Sequence, residues 1–182
     1  MVDDRGASFA AAEANLLKAL SIAPQHAPAH LWLGNIEILT NRAAQGISEC
    51  EHALALNRNL ADAHCFIGIA KALIGRSAET EAHVQEALRL SPRDNGVYLY
   101  IIGAAKLQLG ADAEAVTWIR RSLEVNRNYP VAHFHIAAAL ALLGRLDEAR
   151  AAVLPRGDSS KRLIWLEERR HYMLYAGSDM GL

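Results

Sequence analysis

The chain has 182 residues, 52% of them hydrophobic but only 6% aromatic, and 34 Ala and 25 Leu fill most of the gap. That bias toward strong helix formers predicts an all-α protein with closely packed helices. Nineteen Lys+Arg against 20 Asp+Glu leave a formal charge of −1, which argues against a nucleic-acid partner, since such partners demand a basic footprint. The longest apolar run, Ile136 to Leu143, is eight residues, and a membrane span needs about 20. The start, Met1-Val-Asp-Asp-Arg, has no apolar leader stretch. Two cysteines, Cys50 and Cys65, are too few for a disulfide framework. The expectation is a reduced, cytoplasmic protein with no membrane partner.

Apolar periodicity and turn residues predict helices near 7–21, 28–40, 44–56, 62–74, 78–90, 96–109, 112–125, 130–143 and 146–154. The first carries Ala12, Leu16 and Ala19 and stops before Pro24. Pro28 opens the second, where a missing N–H costs nothing, and Asn41 closes it in the left-handed conformation. The third carries Gly46, Cys50 and Ala53. Gly68 lies inside the fourth, which stops at Gly75; Thr80, Val84 and Ala87 mark the fifth, which Pro92 ends. The sixth holds Gly103 and stops at Gly110, and the seventh holds Ala115, Ile119 and Ser122. Pro130 opens the eighth, which holds Ala137 and stops at Gly144; Ala149 and Val153 mark the ninth. Pro155-Arg-Gly-Asp then breaks the pattern. Asp158 or Ser159 can cap a last helix running to about Tyr175, with Leu163, Ile164, Trp165 and Leu166 on it.

Gly34, Gly68, Gly103 and Ala137 are spaced by 34, 35 and 34 residues. Each follows an aliphatic residue and precedes a turn residue (Asn41, Gly75, Gly110, Gly144) by seven. Small residues where two helices cross let the axes approach to about 8–10 Å. A period of 34 with two helices per unit resembles the tetratricopeptide repeat family over residues 7 to about 154. The resemblance implies an all-α solenoid, a right-handed superhelix of helix-turn-helix units. It divides the chain into a half repeat (7–26), units 27–60, 61–95, 96–129 and 130–157, and a C-terminal capping helix and tail over 159–182. A half-repeat start is expected of a piece of a longer protein. The terminal helix is expected to cap its own array, or else to dock in another chain and give a homodimer.

Three histidines share the fourth position of a unit: His30, His64 and His133, with Leu99 in the remaining one. A metal ladder is excluded, because neighbouring units lie about 8–10 Å apart and zinc holds each ring nitrogen at about 2.0–2.1 Å. These are packing histidines. Cys50 falls in a core row and reads as an inert thiol. Asp112, Glu114, Asp147, Glu148, Glu79 and Glu81 fall near second-helix starts, where the helix dipole favours them. No nucleophile, metal or phosphate-loop motif occurs, so neither catalysis nor a cofactor is expected.

What remains is a surface. In the family that the repeats resemble, a concave groove is lined by first helices at unit positions two, five, nine, twelve and thirteen. Carried over, the resemblance implies a groove through Leu31, Asn35, Cys65, Ile69, Tyr100, Leu107, Gln108, Phe134 and Ala138. Members that grip acidic C-terminal peptides place Lys, Arg and Asn there; only Asn35 matches, so an apolar or amphipathic protein segment is the expected partner. Residues 85–153 also look like the repeat tails of bacterial class III adenylate cyclase-like and winged-helix signalling proteins. That likeness rests on Ala87-Leu-Arg-Leu-Ser-Pro-Arg-Asp, Ala115-Val-Thr-Trp-Ile-Arg-Arg-Ser-Leu and Ala138-Ala-Leu-Ala-Leu-Leu-Gly-Arg-Leu-Asp-Glu-Ala-Arg. The leading expectation is a non-enzymatic interaction scaffold, with a regulatory module of a longer signalling protein or a self-association module as alternatives.

Overall fold

The computed structural model describes residues 3–92 and 95–153. Among these it has nine helices and no strand. They are α1 (Asp3–Ile22), α2 (Ala27–Leu39), α3 (Ala43–Leu56), α4 (Ala61–Leu73), α5 (Ser77–Leu90), α6 (Asn95–Gln108), α7 (Asp112–Val125), α8 (Pro130–Leu142) and α9 (Leu146–Val153). The sequence-based boundaries differ from these by at most one residue, except that α1 starts at Asp3 rather than near residue 7. The capping helix expected over 159–175 lies outside the described residues.

The turn residues explain why the boundaries were readable. Asn41, Gly75, Gly110 and Gly144 have φ of 62°, 77°, 72° and 73°, so each ends its helix in the left-handed region. The same pair of hydrogen bonds recurs at all four. After α2, Asn41 N donates to Ile38 O and Arg42 N to Glu37 O, and after α8, Gly144 N donates to Ala141 O and Arg145 N to Leu140 O. This double closure satisfies carbonyls that a helix end otherwise leaves unpaired. Pro28 and Pro130 stand in the first helical turn of α2 and α8. His26 caps α2 by accepting from Ala29 N at 3.2 Å.

Each first helix (α2, α4, α6, α8) packs on the second helix of its unit and on the second helix before it, with α1 seated on α2. The small rows sit at the crossings. A Cβ on Gly34 would lie 2.8 Å from Gly46 O, and one on Gly103 would lie 2.5 Å from Ile119 Cγ1. Facing them, Cys50, Val84 and Ile119 are fully buried, as are Ala53, Ala87 and Ser122. The polar members of these rows are satisfied: Thr80 Oγ1 donates to Gly68 O at 2.9 Å and Ser122 Oγ to Gly96 O at 2.7 Å.

The core is a string of local cores. One cluster joins Leu31, Ile38, Cys50 and Ile67, another joins Cys65, Val84, Tyr98, Ile102, Ile119 and Ile136, and Phe66 and Ile69 pack against both. Successive first helices also touch one another, α2 with α4, α4 with α6 and α6 with α8, whereas successive second helices make no comparable contact. Closer spacing on one side curves the array toward the first helices, which therefore line its inner face.

Candidate protein-interaction groove

Stacking the first helices sets which positions face outward. Unit positions two, six, nine and thirteen follow one another at helical spacing. On α2 they are Pro28, Trp32, Asn35 and Leu39; on α4 Asp62, Phe66, Ile69 and Leu73; on α6 Val97, Ile101, Ala104 and Gln108; on α8 Val131, His135, Ala138 and Leu142. Trp32, Leu39, Leu73, Val97 and Leu142 are between 47% and 67% exposed, whereas Ile101 is buried. The Trp32 and Phe66 rings lie 5.9 Å apart, bridging α2 and α4.

Position five behaves differently. Leu31, Cys65 and Tyr100, expected to line the groove, are buried. Leu31 packs with Ala63 and Ile67 of α4, and Cys65 with Tyr98 and Ile102 of α6. The reason is geometric: first helices touch along this row, so its side chains seal the seam between units. Phe134, Asn35, Ile69, Leu107 and Ala138 are half-buried and Gln108 is exposed, with its amide oxygen accepting from the buried Ser77 hydroxyl. The structure thus brings the position-nine residues together with Trp32, Phe66, Val97 and Leu73. Val97 and Leu73 fall in the second and thirteenth positions that the resemblance implied; Trp32 and Phe66, at position six, were missed, although they lie one repeat apart and that signal was available.

At the C-terminal half, aromatic side chains link units across the same layer. The Tyr100 hydroxyl lies 2.9 Å from His135 Nδ1, and the Tyr100 ring meets Tyr129 edge-on at 5.0 Å. Phe134 and His135 rings are 5.5 Å apart. Burial holds the His135 pKa below the ordinary histidine value, so this ring is neutral at physiological pH.

The other candidates are structural. His30 is buried against α3, its Nδ1 2.6 Å from Glu49 Oε2 and its Nε2 2.9 Å from Pro24 O. Its ring stacks on His52 at 4.0 Å. His64 is half-buried with a pKa lowered by burial, and His133 meets Arg127 O at 2.9 Å. Cys50 and Cys65 are free, and burial pushes both thiols up to about 12, far from nucleophilic at neutral pH. Glu81, read from the sequence as a helix-start acid, instead binds Lys106 Nζ at 2.8 Å, as does Glu114. Among the described residues no group of three His, Cys, Asp or Glu side chains is placed to hold a metal. No helix among them is long and apolar enough to cross a membrane.

No family model matches the chain, and the search of curated proteins found no match. Solved structures do resemble it. A thermophilic tetratricopeptide protein of Thermus thermophilus is 18% identical with a TM-score of 0.73, over 91% of this chain and 93% of that one. YrrB, a tetratricopeptide protein with an unusual peptide-binding site, is 25% identical with a TM-score of 0.62, over 75% of this chain and 70% of that one. MamA is 20% identical with a TM-score of 0.68, over 93% of this chain and 95% of that one. The likeness of residues 85–153 to cyclase-like and winged-helix tails is not shown by these comparisons. Repeat period, helix pairing and fold likeness agree: the chain is an all-α tetratricopeptide-repeat solenoid.

Proposed function

We propose that the chain is a non-enzymatic scaffold that binds an apolar or amphipathic segment of a partner protein on the inner face of its first helices. One observation carries this reading: Trp32, Leu39, Leu73, Val97 and Leu142 are exposed together along that layer. Large apolar side chains exposed in one stripe, rather than scattered, mark a surface whose burial drives association. The half-buried Asn35, Ile69, Leu107, Phe134 and Ala138 and the exposed Gln108 line the same face. The resemblance to YrrB, which has a peptide-binding site, supports the reading. The buried Leu31, Cys65 and Tyr100 serve it indirectly, by fixing the spacing of the helices that present the stripe.

The test is capture of native partners by the wild-type chain and by a Leu73→Glu/Leu142→Glu variant, with Gln85→Glu on the exposed face of α5 as control. Both variants change exposed residues, so their melting curves should stay close to wild type. The double variant is expected to lose the partner and the control to keep it. Equal capture by all three would contradict the proposal.

A further inference from the structure

The inner face carries little charge, and its one full charge has a definite setting. Of the sixteen residues at positions two, six, nine and thirteen of α2, α4, α6 and α8, only Asp62 has an acidic side chain, and none is Lys or Arg. The lysines on the first helices are already paired with second-helix acids. Lys71 pairs with Glu79 at 3.2 Å, and Lys106 with Glu81 and Glu114. Asp62 is exposed and makes no ion pair among the described residues. Its Oδ1 accepts a hydrogen bond from the Tyr98 hydroxyl of the next unit at 2.8 Å.

That hydrogen bond fixes the carboxylate in place without cancelling its charge. Phe66 stands one turn further along α4, on the same face, and its ring meets the half-exposed Trp32. Exposed Val97 occupies the same unit position as Asp62 on α6. An anchored carboxylate beside two aromatic rings and an aliphatic side chain matches the chemistry of a lysine or arginine side chain. The alkyl stem lies on apolar surface, the cationic head reaches the carboxylate, and the aromatic faces attract the positive charge. An acidic segment would instead meet an unneutralised negative charge and no cation on this face.

We propose that the groove selects an amphipathic segment carrying a basic side chain, which docks over Asp62 between Trp32, Phe66 and Val97. This rests on the groove reading above and adds the charge of its occupant. Position in the first turn of α4, where acids complement the helix dipole, accounts for an acid at Asp62. It does not account for the anchoring by Tyr98, nor for the lack of a basic partner beside Asp62 when both first-helix lysines are paired.

The test uses three synthetic leucine–alanine amphipathic peptides of about four helical turns, identical except for a central Lys, Gln or Glu. Binding to the full chain is followed by titration calorimetry. The Lys peptide is expected to bind about fivefold more tightly than the Gln peptide, and the Glu peptide more weakly than either. The Lys preference should shrink as salt is raised. Asp62→Asn should abolish the preference for the Lys over the Gln peptide, and Leu73→Glu should weaken all three.

Equal affinity for the Lys and Glu peptides, or a Lys preference that survives Asp62→Asn, would overturn the assignment of charge and leave the groove standing. Failure of all three peptides to bind, or binding indifferent to Leu73→Glu, would overturn the groove reading as well. Sedimentation that shows self-association abolished by Leu73→Glu would give this face to a second copy of the chain, which also overturns the proposal.

Discussion

His30 shows what one buried side chain settles and what it leaves to its surroundings. Both ring nitrogens face oxygen acceptors, the Pro24 carbonyl and the Glu49 carboxylate. A carbonyl and a carboxylate both accept, so this setting favours a ring that donates from both nitrogens, the imidazolium. Burial opposes the charge, but the bonds to Glu49 and Pro24 outweigh it and raise the pKa above the ordinary value of 6.5. A raised folded-state pKa contributes stability that is present in full below about pH 6.5 and is lost as pH rises through the folded value. Thermal melts of wild type should therefore fall between about pH 6 and 8. His30→Ala should flatten that slope and cost about 1–3 kcal/mol where the histidine is charged. A slope unchanged in the variant would show that His30 is not the group responsible. The repeat position marked this histidine as a packing residue, but its charge depends on Pro24 and Glu49, which no spacing rule pointed to. Glycine was more legible. Gly103→Ala places a Cβ 2.5 Å from Ile119 Cγ1 and should cost about 1–3 kcal/mol of stability by overpacking. Gly6→Ala, with nothing near its Cβ, should not destabilise.

At the scale of elements, helix α1 is held from one side. It packs chiefly on α2, as α9 packs on α8, and it leaves Leu17 and Ile22 exposed. Its ionic tie to the array is a two-pronged pair, in which Arg42 donates to both Glu13 oxygens at 2.8 Å. The hydrogen bond from Arg42 holds the Glu13 pKa below the ordinary carboxylate value. The tie is therefore intact at neutral pH and is released as pH falls through that lowered pKa. Hydrogen exchange should find α1 least protected and α4 to α7, covered by helices on both sides, most protected. Glu13→Gln should speed exchange in α1 and leave α6 unchanged; equal effects in both would mean that α1 does not open on its own. Element boundaries were legible because left-handed turn residues and prolines mark them locally. The start of α1 was not, since it precedes the first of the repeat anchors, Ala12.

Across the whole molecule the repeat made the architecture readable, while the groove was readable only in part. Period and small-residue rows are one-dimensional signals, and they led directly to the pairing of α2 with α3, α4 with α5 and α6 with α7. Which side of each first helix meets solvent depends on how neighbouring units stack. Position five, taken from the family resemblance, falls in the seam at Leu31, Cys65 and Tyr100. Position six, at Trp32 and Phe66, reaches the inner face instead. The central proposal is that a partner segment lies along the stripe through Trp32, Phe66 and Leu73. The most direct measurement replaces Leu73, and separately Gln85 on α5, with a photo-crosslinking amino acid in the native cell. Irradiation should yield a discrete adduct from position 73 and none from position 85. An adduct from position 85 alone, or none from position 73 when the partner is present, would contradict it.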